Sequence, residues 1–369
     1  MQADDFFMPQ GTYLLSHSVG RMLKTAPAYF TEQFVTPWQQ QNREPWAQWL
    51  EGVMQFNQAL AQLFNSHADN FCPQSNLSSG LTKWLMSQAS FQNRRVRVLL
   101  SEEDFPSMGF VLQQALDDVE LCFIPMGQDM SDIASWQAHL NQHYDLVFVS
   151  HVYSNTGQLA PVSDIIPMAK QWGCKVVVDI AQSAGILSVD LSAWQADCVI
   201  GSCVKWLCGG PGAGFIWVPS ASLAECQPKD VGWFSHQNPF EFDIHHFAAH
   251  ETALRFWGGT PSVAPYIMAA NSIERLGRFG VSKIREHNLQ LLEHIWQALP
   301  QYCISPTDAD LCSGTVIINT GDNLKQCLTV LTEHNIAVDS RRYGLRVSPH
   351  IYNTEIEIEQ FIRVVKSVI

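Results

Sequence analysis

Two side chains near the middle of the sequence have the types and the placement to do covalent chemistry. Lys205 follows the apolar run Cys198-Val199-Ile200 and the small residues Gly201-Ser202, and the glycine-rich turn Gly209-Gly210-Pro211-Gly212 comes just after it. Asp179 closes the run Lys175-Val176-Val177-Val178 upstream. A primary amine condenses with an aldehyde, and a carboxylate keeps a pyridine nitrogen protonated so that the ring accepts electrons. A lysine and an acid at the ends of neighbouring strands are what a pyridoxal 5'-phosphate site requires. Taken singly, a strand-end acid more often caps a turn and a loop lysine more often stays solvated. On consecutive strands beside a glycine-rich turn, the two together favour the cofactor.

The elements that must position this pair are legible as alternation. Short apolar runs at Val96–Leu100, Leu121–Ile124, Leu146–Ser150, Lys175–Asp179, Asp197–Ile200 and Gly214–Val218 read as strands. Helix-like connections such as Phe110–Leu116 and Ile165–Trp172 separate most of them. This is the pattern of an α/β fold with a mostly parallel sheet flanked by helices. Ligands of such sheets sit beyond the carboxyl ends of the strands, where Ser150, Asp179 and Lys205 all fall. Upstream, Trp49, Val53, Phe56, Leu60 and Phe64 recur at helical steps. Ser75-Asn76-Leu77-Ser78-Ser79-Gly80 then opens a further helix, where small hydroxyl residues serve as a cap or as an anion site.

The chain divides into three parts on this reading. Residues 1–45, broken by Pro9, Gly11, Gly20, Pro27 and Pro37, form an N-terminal arm packed on the smaller domain. Residues 46–265 form the large cofactor domain, and 266–369 a smaller C-terminal α/β domain. The latter has helices from about Val263 and at Asn288–Leu299, strands at Gly314–Ile318 and Leu345–Ser348, and a closing helix opened by the capping pattern Thr354-Glu355-Ile356-Glu357. Hydrophobic content of 46% with 15% charged residues describes a core-forming protein. A formal charge of −13 argues against nucleic-acid and anionic-membrane partners, since both need a basic face. The start Met1-Gln2-Ala3-Asp4-Asp5 is unlike a signal peptide, and no apolar run reaches membrane-spanning length. The ten cysteines, scattered through apolar segments, read as free thiols in a reducing cytoplasm.

Several separate segments resemble the fold-type-I pyridoxal phosphate enzymes of aminotransferase class V, and within them kynureninases most closely. His17-Ser18-Val19-Gly20 is similar to an N-terminal (Asn/His)-Ser-Leu-Gly, Leu77-Ser78 to a Leu-Thr pair, and Phe105-Pro106-Ser107 to a Phe-Pro-Ser segment. Asp179, Lys205-Trp206-Leu207, the loop Gly232-Trp233-Phe234-Ser235-His236 and the turn Gly259-Thr260-Pro261 match in turn. So do Arg346 and Ser348-Pro349-His350-Ile351-Tyr352-Asn353-Thr354. The resemblance implies catalytic roles for Lys205 and Asp179. It implies cofactor contacts from Leu77, Ser78, Phe105, Gln182, Ser202, Trp233 and Thr260. Arg346, His236, Trp233, His17 and Ser18 are the implied substrate residues. It also implies an amino-acid substrate, hydrolysis of a Cβ–Cγ bond beside a γ-ketone, and a homodimer whose site is completed across the interface.

The sequence departs from the kynureninase pattern at Val204, which replaces a phosphate-binding tyrosine, and at Met108, which replaces an acid. Gln182 stands where that family keeps histidine and is more like cysteine desulfurases. Aminotransfer and sulfur release from a cysteine-like substrate are therefore the alternatives. A desulfurase needs a thiol on a mobile loop, whereas Cys327 lies in the helix-like Leu324–Leu331. A metal site among His236, His245, His246 and His250 lacks zincin spacing, because Glu251 follows the second histidine of the His246/His250 pair, so no metal is expected. A non-catalytic relative used for binding is disfavoured by intact Asp179 and Lys205.

Overall fold

The apolar runs of the middle of the chain become neighbours in one sheet. In the computed structural model, which describes residues 1–369, the strands are β1 Phe71–Gln74, β2 Arg95–Ser101, β3 Asp118–Ile124, β4 Leu146–Ser150, β5 Lys175–Asp179, β6 Cys198–Ser202 and β7 Gly214–Trp217. Their spatial order is β1-β7-β6-β5-β4-β2-β3. Strands β2 to β6 pair in parallel, and β7 runs antiparallel to both β6 and β1. The architecture is the expected α/β one, a mostly parallel sheet flanked by helices with a smaller C-terminal α/β part.

Period-two alternation assigns the strand residues to two cores. Val147, Val149, Val176 and Val178 face one side, packed with helices α1 Trp46–Leu63 and α5 Ala264–Phe279. Leu146, Phe148, Val177 and Ile200 face the other, under α2 Leu77–Ser87 and α3 Pro106–Ala115. Helix α4 Val162–Gln171 covers the first face. Each buried aliphatic side chain contributes about 1.5–3 kcal/mol, and a one-residue slip would turn all of them to the wrong face. Burial of the strand middles thus fixes which polar residues stand at the strand ends. Strand β1 was not legible in the sequence because Pro73 interrupts it. It lies at the sheet edge, where a missing backbone donor is tolerated.

In the C-terminal domain, β8 Val316–Ile318, β9 Asp339–Arg341 and β10 Gly344–Val347 form an antiparallel sheet in the order β9-β10-β8. Its core is shared with α6 Val281–Ala298, α7 Leu324–Glu333 and α8 Glu355–Lys366. The expected capping box opens α8: Glu357 N–H donates to Thr354 Oγ1 at 3.3 Å and Thr354 N–H to Glu357 Oε2 at 2.7 Å.

The N-terminal residues bind in two places. Thr12–Tyr13 adds in parallel to Ile336–Ala337, and Gly20 N–H donates to Val204 O at 2.8 Å. Residues 26–40 are helical, which their prolines had hidden. Pro27 and Pro37 occupy the first turns of short helices, the positions where proline costs nothing.

Candidate functional site

The parallel strands all end along one rim, and a cavity of about 260 Å³ opens there. Ser150 closes β4, Asp179 closes β5 and Ser202 closes β6, with Lys205 in the turn that follows. The β4–β5 register sets Ser150 opposite Asp179. The cavity brings together Leu77, Ser78, Phe105, Asp179, Gln182, Ser202 and Lys205, which are seven of the residues expected at the site. A larger polar cleft of about 500 Å³ lies among Asn70, Trp194 and Asp197, where Lys170 is already paired with Asp197.

The electrostatics of the central pair follow from burial. Burial pulls the Lys205 ammonium down to about 8 against the opposing pull of Asp179, and Arg341 and Arg346 add to the lowering. Burial likewise raises the Asp179 carboxyl, with Lys205 and the Ala181 N–H working against it. That N–H donates to Oδ1 at 2.7 Å and is the carboxylate's only hydrogen bond. Asp179 therefore keeps an acceptor for a further donor, as a pyridinium N–H would be. A lysine near neutrality and an under-satisfied buried acid on one wall fit pyridoxal phosphate.

The phosphate end fits too. Asn76 caps α2, its Oδ1 accepting from Ser79 N–H at 2.9 Å. Leu77 and Ser78 occupy the first turn, where backbone N–H groups have no partner within the helix. The Ser78 and Ser202 hydroxyls stand on the same cavity. Val204 contributes through its backbone, its carbonyl holding Gly20. A Cβ on Gly20 would lie 2.1 Å from Lys205 O, so only glycine allows this approach. Phe105 presents its ring to the cavity, with the Arg341 guanidinium 5.4 Å from the ring centroid.

A buried network positions Arg346. Its Nε donates to Asp339 Oδ1 at 2.8 Å and its Nη2 to Oδ2. His17 meets the same Oδ1 through Nε2 at 3.0 Å, and its Nδ1 lies 2.6 Å from Ser348 Oγ. Burial alone would raise Asp339, but the His17 and Arg346 hydrogen bonds hold it well below the usual carboxylate range. Gln182 ties this network to the cavity: its Nε2 donates to His17 O at 3.0 Å, and its Oε1 accepts from Trp206 Nε1 at 3.3 Å. Arg346 Nη1 keeps only a long contact of 3.4 Å to Ser154 O.

The remaining expected residues lie elsewhere in the single chain. Ser18 is exposed and does not line the cavity. Trp233 Nε1 donates to Thr260 Oγ1 at 3.2 Å, and Trp233 and His236 line a separate pocket of about 230 Å³. His236 Nε2 lies 2.7 Å from Glu241 Oε2. His246 joins that pair in a cluster whose ligand atoms lie within 4.8 Å of one another, while His245 and His250 stay outside it. Asp339 and Arg341 had no place in the sequence reading, and Asn76 and Ser107 stood there only within the motifs Ser75–Gly80 and Phe105-Pro106-Ser107. Asp339 had a signal, since an acid opposite an arginine across a short hairpin is a cross-strand ion pair, and the register is Asp339 to Arg346.

Comparison with known proteins gives a consistent family. The profile of the aminotransferase class-V family matches residues 29–365. An uncharacterised aminotransferase, YcbU, of Bacillus subtilis is 25% identical over 323 residues, covering 86% of this chain and 84% of that protein. A kynureninase of Deinococcus radiodurans is 27% identical over 347 residues, covering 89% of this chain and 82% of that enzyme. Among solved structures, C-DES with glycine covalently linked to its PLP cofactor superimposes with a TM-score of 0.87 at 22% identity, covering 96% of each chain. C-DES is a cystine C–S lyase.

Proposed function

The chain belongs to the aminotransferase class-V family, whose cofactor is pyridoxal 5'-phosphate, and from that premise we propose that it hydrolyses the Cβ–Cγ bond of an amino acid bearing a γ-ketone. The observation that carries this reading is a cavity that presents the Phe105 ring and has no cysteine in its lining. Cys327, the candidate sulfur acceptor, is fully buried in the C-terminal core, and burial raises its thiol. A persulfide relay through it has no path. The kynureninase relative, aligned over 89% of the chain, supports the same choice.

The cofactor, when bound, supplies an electron sink for charge developing at the substrate Cα. The chain's own residues do the rest. Asp179 would accept the ring N–H of the bound cofactor and favour its charged form. Lys205 Nζ would take and return the substrate Cα proton, a task suited to an amine titrating near neutrality. Asp339 and His17 hold Arg346 so that Nη1 meets the substrate carboxylate. Trp233, His236 and Thr260 act in the neighbouring site of a homodimer, which accounts for their distance from Lys205 in one chain.

C–S bond cleavage is the second reading. Gln182 favours it, because an amide held between His17 O and Trp206 cannot serve as the histidine of the kynureninase pattern. The discriminating assay offers kynurenine, cysteine, and an amino donor with a keto acid to the holoenzyme in parallel. Anthranilate release is the expected result. Sulfide from cysteine, or keto-acid exchange without anthranilate, overturns it.

A further inference from the structure

We propose that Asp104 is a second acid of the cofactor site, acting through Ser150 on the surroundings of Asp179. Asp104 sits in the turn between β2 and Phe105 and is buried. Ser101 N–H donates to its Oδ2 at 2.8 Å, and Ser150 Oγ lies 2.6 Å from its Oδ1. Ser150 also lines the cavity and stands opposite Asp179 in the sheet. Ser150 thus carries the hidden carboxyl to the cavity wall on which Asp179 stands, its hydroxyl bonded to Asp104 and its strand position beside that of Asp179.

Two carboxyls in one dry region resist being ionised together. Asp179 keeps its charge by pairing with the ring, so Asp104 carries the proton. Burial lifts Asp104 to about 7 in spite of the Ser150 and Ser101 hydrogen bonds, and Asp179 adds to the rise. The other ionisable groups around it do not reverse this. Tyr153, from the segment after β4, brings a buried hydroxyl with no partner that feels both Asp104 and Glu103. Glu103, next in the chain, is held by Tyr343. Lys205 interacts with Asp179, and Arg341 lies over Phe105; neither bonds to Asp104.

The consequence is a change of state at the ring. Protonated Asp104 donates to Ser150 and leaves that hydroxyl's own hydrogen to the cavity. Ionised Asp104 takes the Ser150 hydrogen and adds a second negative charge beside Asp179. Any reaction of the family would feel this, so the proposal rests on the cofactor site and not on the choice of substrate.

The test is a pH titration of the visible absorbance of the holoenzyme against Asp104→Asn, which keeps the shape and cannot ionise. Below about pH 6 Asp104 is neutral in the wild type and the two spectra coincide. Above about pH 8 the wild type holds protons on the cofactor and Lys205 more tightly, so the variant's midpoint falls by roughly half a unit or more. Curves that superimpose throughout, or that differ equally at every pH, overturn the proposal. If Asp104→Asn does not fold, Ser150→Ala reads the same point. It removes the hydroxyl that stabilises ionised Asp104, so the wild-type inflection moves to higher pH, and an unchanged curve is equally fatal. A wild type that takes up no cofactor fails at an earlier step and removes the cofactor site together with this proposal.

Discussion

Lys205 is the residue whose behaviour most directly tests the site. Only the free amine attacks an aldehyde, and burial brings the Lys205 ammonium down to about 8. Because its proton affinity is lowered, the reactive form grows as pH rises through that value. Cofactor uptake by the apoprotein, followed by stopped-flow absorbance, should therefore accelerate roughly tenfold per pH unit below 8 and level off above it. Continued acceleration towards the ordinary lysine value of about 10.4 would show a solvated amine. Lys205→Ala should lower turnover by roughly 10²–10⁴-fold while the protein still absorbs cofactor non-covalently, with nothing fixed by borohydride.

At the scale of elements, two joints carry the arrangement. Gly20 docks the N-terminal segment on the Lys205 turn, and Gly20→Ala drives a methyl group into Lys205 O. The segment must then lift, taking His17 from Gln182 and Asp339. Differential scanning should show a fall in Tm, at roughly 1–2 °C per kcal/mol lost in a chain of this size, with a raised KM from the loosened Arg346 network. A Gly20→Ala protein with unchanged KM would show that the segment does not organise the site. The second joint is the box at Thr354. Thr354→Ala removes a reciprocal cap at an exposed helix start that does not line the cavity, so it should cost about 1 kcal/mol in denaturant unfolding and leave kcat untouched.

At the scale of the molecule, the separation of Trp233 and Thr260 from Lys205 makes assembly a functional question. The proposed dimer predicts that Lys205→Ala and Thr260→Ala proteins, each impaired alone, regain activity when unfolded together and refolded. Random pairing gives hybrids with one intact site each, so roughly a quarter of wild-type activity should return. No recovery in hybrids confirmed by mass would place both residues in the same subunit's site. No helix is long and apolar enough to cross a membrane.

What the sequence determined by itself was the periodic part of the protein. The runs ending in Ser150, Asp179 and Ser202 are strands because their alternating aliphatic residues have two cores to fill, and that pattern is written in consecutive positions. Lys205 and Asp179 were legible for the same reason, as strand ends are placed by the strands. Edge strand β1 and the helices at residues 26–40 were hidden by prolines, whose cost depends on neighbours and position that local sequence does not state. Only the tertiary structure joined Asp339 and His17 to Arg346, or Asp104 through Ser150 to the Asp179 wall. These contacts link residues far apart in the chain, and each exists because burial leaves a polar group no solvent and therefore obliges it to find a partner.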